Sequence, residues 1–226
     1  MTLLIKICGL STPYTLATAI DAGADMVGFV FFPPSPRNLS MEQAHALGAQ
    51  AQGKTLKVAL SVDADDSLID AMVEAARPDL LQLHGQETPE RVRALKARTG
   101  LPVIKAIHVS GAHDLAACGL YEGAADWLIF DARPPKGAVL PGGNGAAFDW
   151  TILEHVETKT PWMLSGGLGL HNVEEALGVT RAHGLDVSSG VESAPGVKDA
   201  DLIARFVAQS RSSYARLGLG SGAGTA

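Results

Sequence analysis

Short apolar runs rich in β-forming residues alternate along the chain with segments that carry helix start signals. This alternation is typical of a parallel sheet whose strands are joined by covering helices. Eight strands are predicted, the last two of them short, at residues 3–8, 26–32, 56–62, 80–84, 103–108, 127–131, 162–165 and 185–188.

Helix starts follow several of these strands. Thr12 and Thr88 each precede a proline at the first helical position, and Asp199 is a further N-cap candidate. Capping boxes are predicted at Ser40 with Gln43 and at Asn172 with Glu175.

Eight strand–helix units in 226 residues favour a closed (β/α)8 barrel, the TIM barrel, over a doubly wound open sheet of five or six strands. We therefore expect an α/β protein with one catalytic domain over residues 1–217. The segment 134–147, rich in proline and glycine, is long for a connection and is either disordered or a working lid. The Gly-rich tail 218–226 is predicted to be disordered.

Composition and charge limit the classes of molecule that the chain can bind. The formal charge is −6 and basic residues are scattered, so the chain shows no footprint for nucleic acid or an anionic membrane. The first apolar run contains Lys6 and is too short for a signal peptide, and no long apolar stretch follows. Two distant cysteines, Cys8 and Cys118, favour a cytoplasmic location without a disulfide. Since the basic residues are scattered, any anionic ligand must be held locally, and a monomer or homodimer is left open.

Polar residues that close a strand are candidates for chemistry, because the active site of a (β/α)8 enzyme lies at the C-terminal ends of its strands. The residues that meet this condition are Cys8, His84, Asp131, Asp186 and Ser188.

Strand alternation places Lys6 on the face of Cys8, and Gln82 on the face of His84. These faces point into the barrel. A buried lysine needs a partner, so an ion pair of Lys6 with an interior acid such as Asp186 is expected.

Two glycine-containing turns follow strands seven and eight. Each offers backbone N–H groups, and loops seven and eight are where such barrels usually bind phosphate. Either turn alone is equally consistent with a simple connection, but the two together favour phosphate binding by Gly166, Gly167, Ser189 and Gly190.

Three further residues have open interpretations. Cys8 is either a small buried hydrophobe or a base, and Asp131 is an acid, a helix cap or a partner of Arg133. Arg37 follows three prolines that stiffen its loop, so it is either a carboxylate-binding residue or an exposed surface arginine. Cys118 is interpreted as a packing residue in a helix. No metal site is predicted, because no set of His, Cys and acidic residues has ligand spacing.

The combined motifs resemble the phosphoribosylanthranilate isomerase family from Lys6 to about Phe206. The resemblance rests on Lys6-Ile7-Cys8-Gly9, Ser35-Pro36-Arg37, Leu83-His84-Gly85, Phe130-Asp131, Gly142-Gly143-x-Gly145, Phe148-Asp149-Trp150, Ser165-Gly166-Gly167-Leu168 with Asn172-Val173, and Asp186-Val187-Ser188-Ser189-Gly190-Val191-Glu192. Asn144 and Ala146 depart from the family pattern, which leaves the contacts of the sixth loop uncertain.

The resemblance implies an Amadori rearrangement of N-(5-phosphoribosyl)anthranilate in tryptophan biosynthesis, without a cofactor. It implies that Asp131 is the general acid, Cys8 the general base and Arg37 the binder of the substrate carboxylate. Lys6, His84 and Asp186 are expected to support them. Lys6 would increase the thiolate fraction of Cys8, and an apolar setting beside Phe130 and Trp127 would raise the pKa of Asp131.

Two rival functions are considered. The aminoaldose isomerase of histidine biosynthesis shares this chemistry but has an aspartate in place of Cys8. A non-catalytic phosphosugar sensor would keep the phosphate site and lack turnover.

Overall fold

The computed structural model describes residues 2–134, 137, 140–143, 145, 147–154 and 156–220 of the 226. Asn144, Ala146, His155 and most of the predicted tail therefore lie outside the described residues.

Eight parallel strands form a closed barrel in the order β1 to β8, and β8 pairs with β1. Every strand boundary falls within one residue of the prediction, so the (β/α)8 barrel is confirmed. The strands are β1 (Leu4–Cys8), β2 (Met26–Phe31), β3 (Leu56–Ser61), β4 (Leu80–Leu83), β5 (Val103–Val109), β6 (Trp127–Ala132), β7 (Trp162–Leu164) and β8 (Gly184–Val187).

In the residues that the structure describes, seven α-helices pack outside the barrel. They are α1 (Pro13–Asp21), α2 (Met41–Ala51), α3 (Asp66–Ala76), α4 (Pro89–Thr99), α5 (Ala117–Tyr121), α6 (Val173–Thr180) and α7 (Ala200–Arg216). The predicted starts of α1, α2, α4 and α7 are confirmed, since the side chains of Thr12, Ser40, Thr88 and Asp199 each accept a backbone hydrogen bond from the first turn.

The predicted capping box at Asn172 is wrong. Asn172 precedes α6, but its side chain makes no capping bond. Its Oδ1 instead accepts from the Gly169 N–H at 2.9 Å, and its Nδ2 donates to the Gly167 carbonyl at 2.9 Å. The side chain thus fixes the glycine turn after β7.

Two connections differ from a plain strand–helix unit. In the described part of the chain, β6 is followed by a 3-10 turn, Trp150–Leu153, in place of an α-helix. After β8 come a 3-10 turn, Ser189–Val191, and a small antiparallel hairpin of β9 (Glu192–Ala194) and β10 (Val197–Lys198). This hairpin lies between the eighth strand and α7.

Apolar packing divides the barrel along its axis. The largest cluster fills the space between strands and helices and includes Cys118, as predicted. A second cluster fills the lower interior of the barrel, from residues of six strands: Met26, Val58, Leu80, Ile104, Ile129 and Met163. The barrel is therefore closed below, which leaves its upper interior for polar side chains.

Candidate active site

A cavity lies at the C-terminal ends of the strands, where the sequence predicts the active site. Its lining includes eight of the ten predicted site residues; Lys6 lies beneath it, fully buried, and Gly190 lies behind the wall. The eight are Cys8, Arg37, His84, Asp131, Gly166, Gly167, Asp186 and Ser189.

The predicted ion pair lies beneath this cavity. Lys6 Nζ is 2.8 Å from Asp186 Oδ1, and both side chains are buried. Burial lowers the pKa of Lys6, but Asp186 and Cys8 outweigh it, so the pKa lies above its ordinary value. Gly28 leaves space for the Cys8 thiol and the Lys6 ammonium group, because a Cβ at position 28 would lie 2.9 Å from Cys8 Sγ and 3.1 Å from Lys6 Nζ. Because its pKa is raised, Lys6 is charged at neutral pH.

Cys8 lies at the end of β1 with its thiol in the cavity wall. Burial raises the pKa of the Cys8 thiol above its ordinary value, and the charge of Asp186 adds to the effect. Lys6 lowers this pKa, as the sequence predicts, but does not offset burial. The resting cysteine is a protonated thiol at neutral pH.

Asp131 lies at the end of β6 and faces His84 from β4. Its Oδ2 is 3.0 Å from His84 Nε2, and its Oδ1 accepts from the Ala132 N–H at 2.9 Å. Gln82 contacts the other ring nitrogen of His84 at 3.1 Å. The alternative pairing with Arg133 is wrong, because Arg133 bonds Asp114. The apolar setting predicted for Asp131 is wrong. The carboxylate contacts His84 and the Ala132 N–H, and Phe130 packs in the outer apolar cluster.

His108 was missed by the sequence analysis. It lies on β5 opposite Asp131, and its ring centroid is 5.3 Å from that of His84. Burial lowers the pKa of His108 to about 4, with a further contribution from His84. Its position closing an apolar strand was the signal that could have found it.

Arg37 is not an exposed surface residue, since only 5% of it is accessible. Its Nε and Nη2 donate to the two carboxylate oxygens of Glu192 at 2.7 and 2.8 Å. Lys198 also bonds Glu192, at 2.6 Å, and burial lowers the pKa of Lys198 to about 8. Glu192 therefore fixes the guanidinium through a bidentate pair. Sequence reasoning gave no role to Glu192 or Lys198.

The two glycine turns meet each other at the cavity wall. Gly166 and Gly167 have φ angles of 85° and 66°, and in the described chain their N–H groups make no hydrogen bond. A Cβ on Gly190 would lie 1.8 Å from the Leu168 carbonyl oxygen. Only glycine allows this contact, which packs the turn after β8 against the turn after β7.

The described residues 140–143 of the Pro- and Gly-rich segment 134–147 pass over the acid candidate. A Cβ on Gly142 would lie 2.5 Å from His84 Nε2 and 2.6 Å from Asp131 Oδ2. The Gly143 carbonyl accepts from Arg37 Nη2 at 3.3 Å. This backbone lies directly over the acid candidate and the arginine.

Comparison with known proteins identifies the group to which this barrel is related. The family model for N-(5'-phosphoribosyl)anthranilate (PRA) isomerase matches residues 5–209. The chain belongs to this family. An N-(5'-phosphoribosyl)anthranilate isomerase from Nitrobacter winogradskyi is 58% identical over 217 residues, 96% of each chain.

Solved PRA isomerases have the same fold. The enzyme from Thermus thermophilus superposes with a TM-score of 0.81 at 32% identity, covering 93% of this chain and 99% of its own. A PRA isomerase solved in complex with reduced 1-(o-carboxyphenylamino)-1-deoxyribulose 5-phosphate gives a TM-score of 0.77 at 30% identity, covering 93% and 100%. The resemblance inferred from the motifs is confirmed.

The PRA isomerase fold here has no membrane-crossing element among the described residues. None of the helices in this part of the chain has the length and apolar character that a bilayer span requires.

Proposed function

We propose that this chain converts N-(5-phosphoribosyl)anthranilate to 1-(2-carboxyphenylamino)-1-deoxyribulose 5-phosphate, with Asp131 as general acid and Cys8 as general base. The observation that carries the proposal is that both side chains line one cavity, from strands β6 and β1, within a PRA isomerase fold. Strands one and six are separated around the barrel, so acid and base can approach a substrate from different sides.

The acid acts first. Asp131 donates a proton to the ribose ring oxygen while the bond from that oxygen to C1′ breaks. The lone pair of the anilino nitrogen forms the C1′=N bond of a Schiff base. Both carboxylate oxygens of Asp131 already have partners, Ala132 N–H and His84. His84 thus orients the carboxyl group towards the ring.

The base acts second. Cys8 acts in its thiolate form, the minor form at neutral pH, and accepts the C2′ proton. The C2′–H bond electrons form the C1′=C2′ bond of an enolamine while the C1′=N bond electrons move to nitrogen. The enolamine becomes the ketone when C1′ gains a proton and the C2′ hydroxyl loses one. The reaction is an internal oxidation–reduction, in which C2′ is oxidised and C1′ is reduced, and it consumes no co-reactant. Lys6 favours the thiolate electrostatically and is itself held by Asp186.

The remaining groups bind the substrate. Arg37, fixed by Glu192, is proposed to bind the anthranilate carboxylate. The N–H groups of Gly166 and Gly167, with the turn at Ser189 and Gly190, are proposed to bind the phosphate, which is supported by their place after β7 and β8. These two anchors hold the ribose between acid and base.

Loss of substrate fluorescence tests the two catalytic roles. Cys8→Ser and Asp131→Asn should each reduce kcat by about 10²–10⁴-fold with little change in KM. Matched controls are Cys118→Ser, a cysteine in the outer packing, and Asp149→Asn, an exposed carboxylate after the segment 134–147. A rate near wild type in either catalytic variant contradicts the role of that residue.

The rival functions have separate outcomes. Strong turnover of the histidine-pathway aminoaldose would favour the aminoaldose isomerase, and tight substrate binding without turnover would favour the sensor. We further propose that the enzyme is cytoplasmic and is either a monomer or a homodimer. Light scattering of the purified chain distinguishes these two oligomeric states.

A further inference from the structure

Three potential metal ligands meet in the upper barrel. His84 follows β4, His108 lies on β5 and Asp131 on β6, so three adjacent strands each contribute one side chain. One ligand atom from each lies within 4.8 Å of the other two. His84 and Asp131 are 5% and 4% exposed. No other group of three such residues is found in the described part of the chain.

One polar atom of this cluster and one atom of the adjacent Gln82 side chain lack partners. Among the described residues, five buried side-chain nitrogen or oxygen atoms make no hydrogen bond, and two of these five are His108 Nδ1 and Gln82 Oε1. An unpaired buried polar atom is costly, so a cluster with one such atom in it and another beside it is a place where a ligand is expected.

The hydrogen bonds assign the ligand atom of His108. Its Nε2 lies 3.3 Å from the His84 carbonyl oxygen, which can only accept, so Nε2 carries the proton. The lone pair is therefore on Nδ1, the atom without a partner.

Gln82 supplies an outer contact for the second histidine. If His84 Nε2 binds an ion, its Nδ1 must donate a hydrogen bond. The Gln82 carboxamide already contacts this Nδ1 at 3.1 Å. A half-turn of the carboxamide gives an acceptor to Nδ1 and a partner to the unpaired Oε1.

We propose that His84, His108 and Asp131 form a site for a divalent transition-metal ion of the zinc class, whose occupancy inhibits the enzyme. Two imidazoles and a carboxylate suit Zn²⁺ or Co²⁺, whereas Mg²⁺ and Ca²⁺ prefer oxygen ligands. Ligands about 2.1 Å from a tetrahedral ion lie about 3.4 Å apart, and one candidate ligand atom from each of the three residues already lies within 4.8 Å of the other two.

Inhibition follows from the shared carboxylate. An ion on Asp131 takes the oxygen that would carry the catalytic proton, so this half of the inference rests on the proposed function. Binding of the ion does not depend on the proposed function. The site departs from the sequence prediction that the chain has no metal site, because its ligands come from β5, from β6 and from the residue after β4, and form no local spacing.

Cobalt absorption and zinc competition with a chromophoric chelator test the binding. Wild type should bind one ion per chain, and His108→Asn should bind at least about 100-fold more weakly. The control His45→Asn removes an exposed histidine of α2 and should bind as wild type does. Cys8→Ser should also retain binding. Equal affinity in His108→Asn, or loss of binding in Cys8→Ser, overturns the site.

Histidine side-chain NMR of the wild type keeps the test independent of variant folding. Zinc should shift the imidazole signals of two of the seven histidines, and unchanged signals or shifts confined to exposed histidines overturn the site.

Kinetics test the second half of the inference. Zinc should inhibit wild type and His45→Asn, while His108→Asn should turn over without the inhibition. Full occupancy without inhibition overturns the inhibitory half alone. The metal-free rate of Asp131→Asn separately decides whether the proposed acid role fails.

Discussion

Replacing Lys6 with methionine removes the cation of a pair that is enclosed in the barrel. Lys6 is 0% exposed and Asp186 is 4% exposed, and 2.8 Å separates Nζ from Oδ1. The other side-chain donor to Asp186 is Ser165 Oγ, at 3.4 Å, which is too distant to replace a cation. Lys6→Met therefore leaves a buried carboxylate without its counter-charge.

Breaking a buried pair in this way costs roughly 3–5 kcal/mol. A chain of this size loses about 2–4 °C of Tm per kcal/mol. The expected decrease in Tm is therefore about 6–20 °C. The double variant Lys6→Met/Asp186→Leu should recover most of it, because apolar replacement of a whole buried pair is often neutral or stabilising.

Calorimetry and urea unfolding of the single and double variants measure these differences. The control is Arg205→Met, which breaks an exposed i,i+4 pair with Asp201 and should cost less than about 1 kcal/mol. A Tm decrease below about 2 °C for Lys6→Met, or a double variant as unstable as the single one, would refute the reasoning.

Three further predictions concern the cavity. In ultraviolet difference spectra against Cys8→Ser, the Cys8 thiolate should form with a midpoint above pH 9, because burial raises its pKa; a midpoint below pH 8 contradicts this. The folded state then keeps a proton that the unfolded chain loses, so the stability contributed by this thiol is lost as the pH rises above about 9. Gly190→Ala should raise KM and the inhibition constant of inorganic phosphate about tenfold or more by separating the two turns, whereas Gly178→Ala, with open space around its Cβ, should not; equal KM values for the two variants would contradict the contact. Gly142→Ala should lower kcat with a Tm change below about 2 °C, since its Cβ would meet Asp131 and His84; an unchanged kcat measured by substrate fluorescence would exclude this close approach.

The strands could be predicted closely because their signals are local. Each is a short apolar run with a clear end, and alternation along a strand has period two. The same alternation placed Lys6 beside the site and led to its pairing with Asp186, although 180 residues separate them. His108 satisfied the same condition as His84 and was found only in the structure.

Other features have no local signal. Arg37 and Glu192 are 155 residues apart, and only the closed barrel brings the loop after β2 beside the hairpin after β8. The Asn172 pattern matches a capping box, yet the neighbouring glycine turn offers its side chain two better partners. The 3-10 turn after β6 likewise depends on packing around Trp150, which is buried.

The pairing of β8 with β1 has a consequence for synthesis on the ribosome. Lys6 is made 180 residues before Asp186, which at about 5–20 residues per second is a delay of about 9–36 seconds. During this time the open edge of β1 has no partner strand, and the lysine has no counter-ion. Closure of the barrel thus comes late in synthesis, and until then the nascent chain exposes an unpaired strand edge that holdase chaperones can protect.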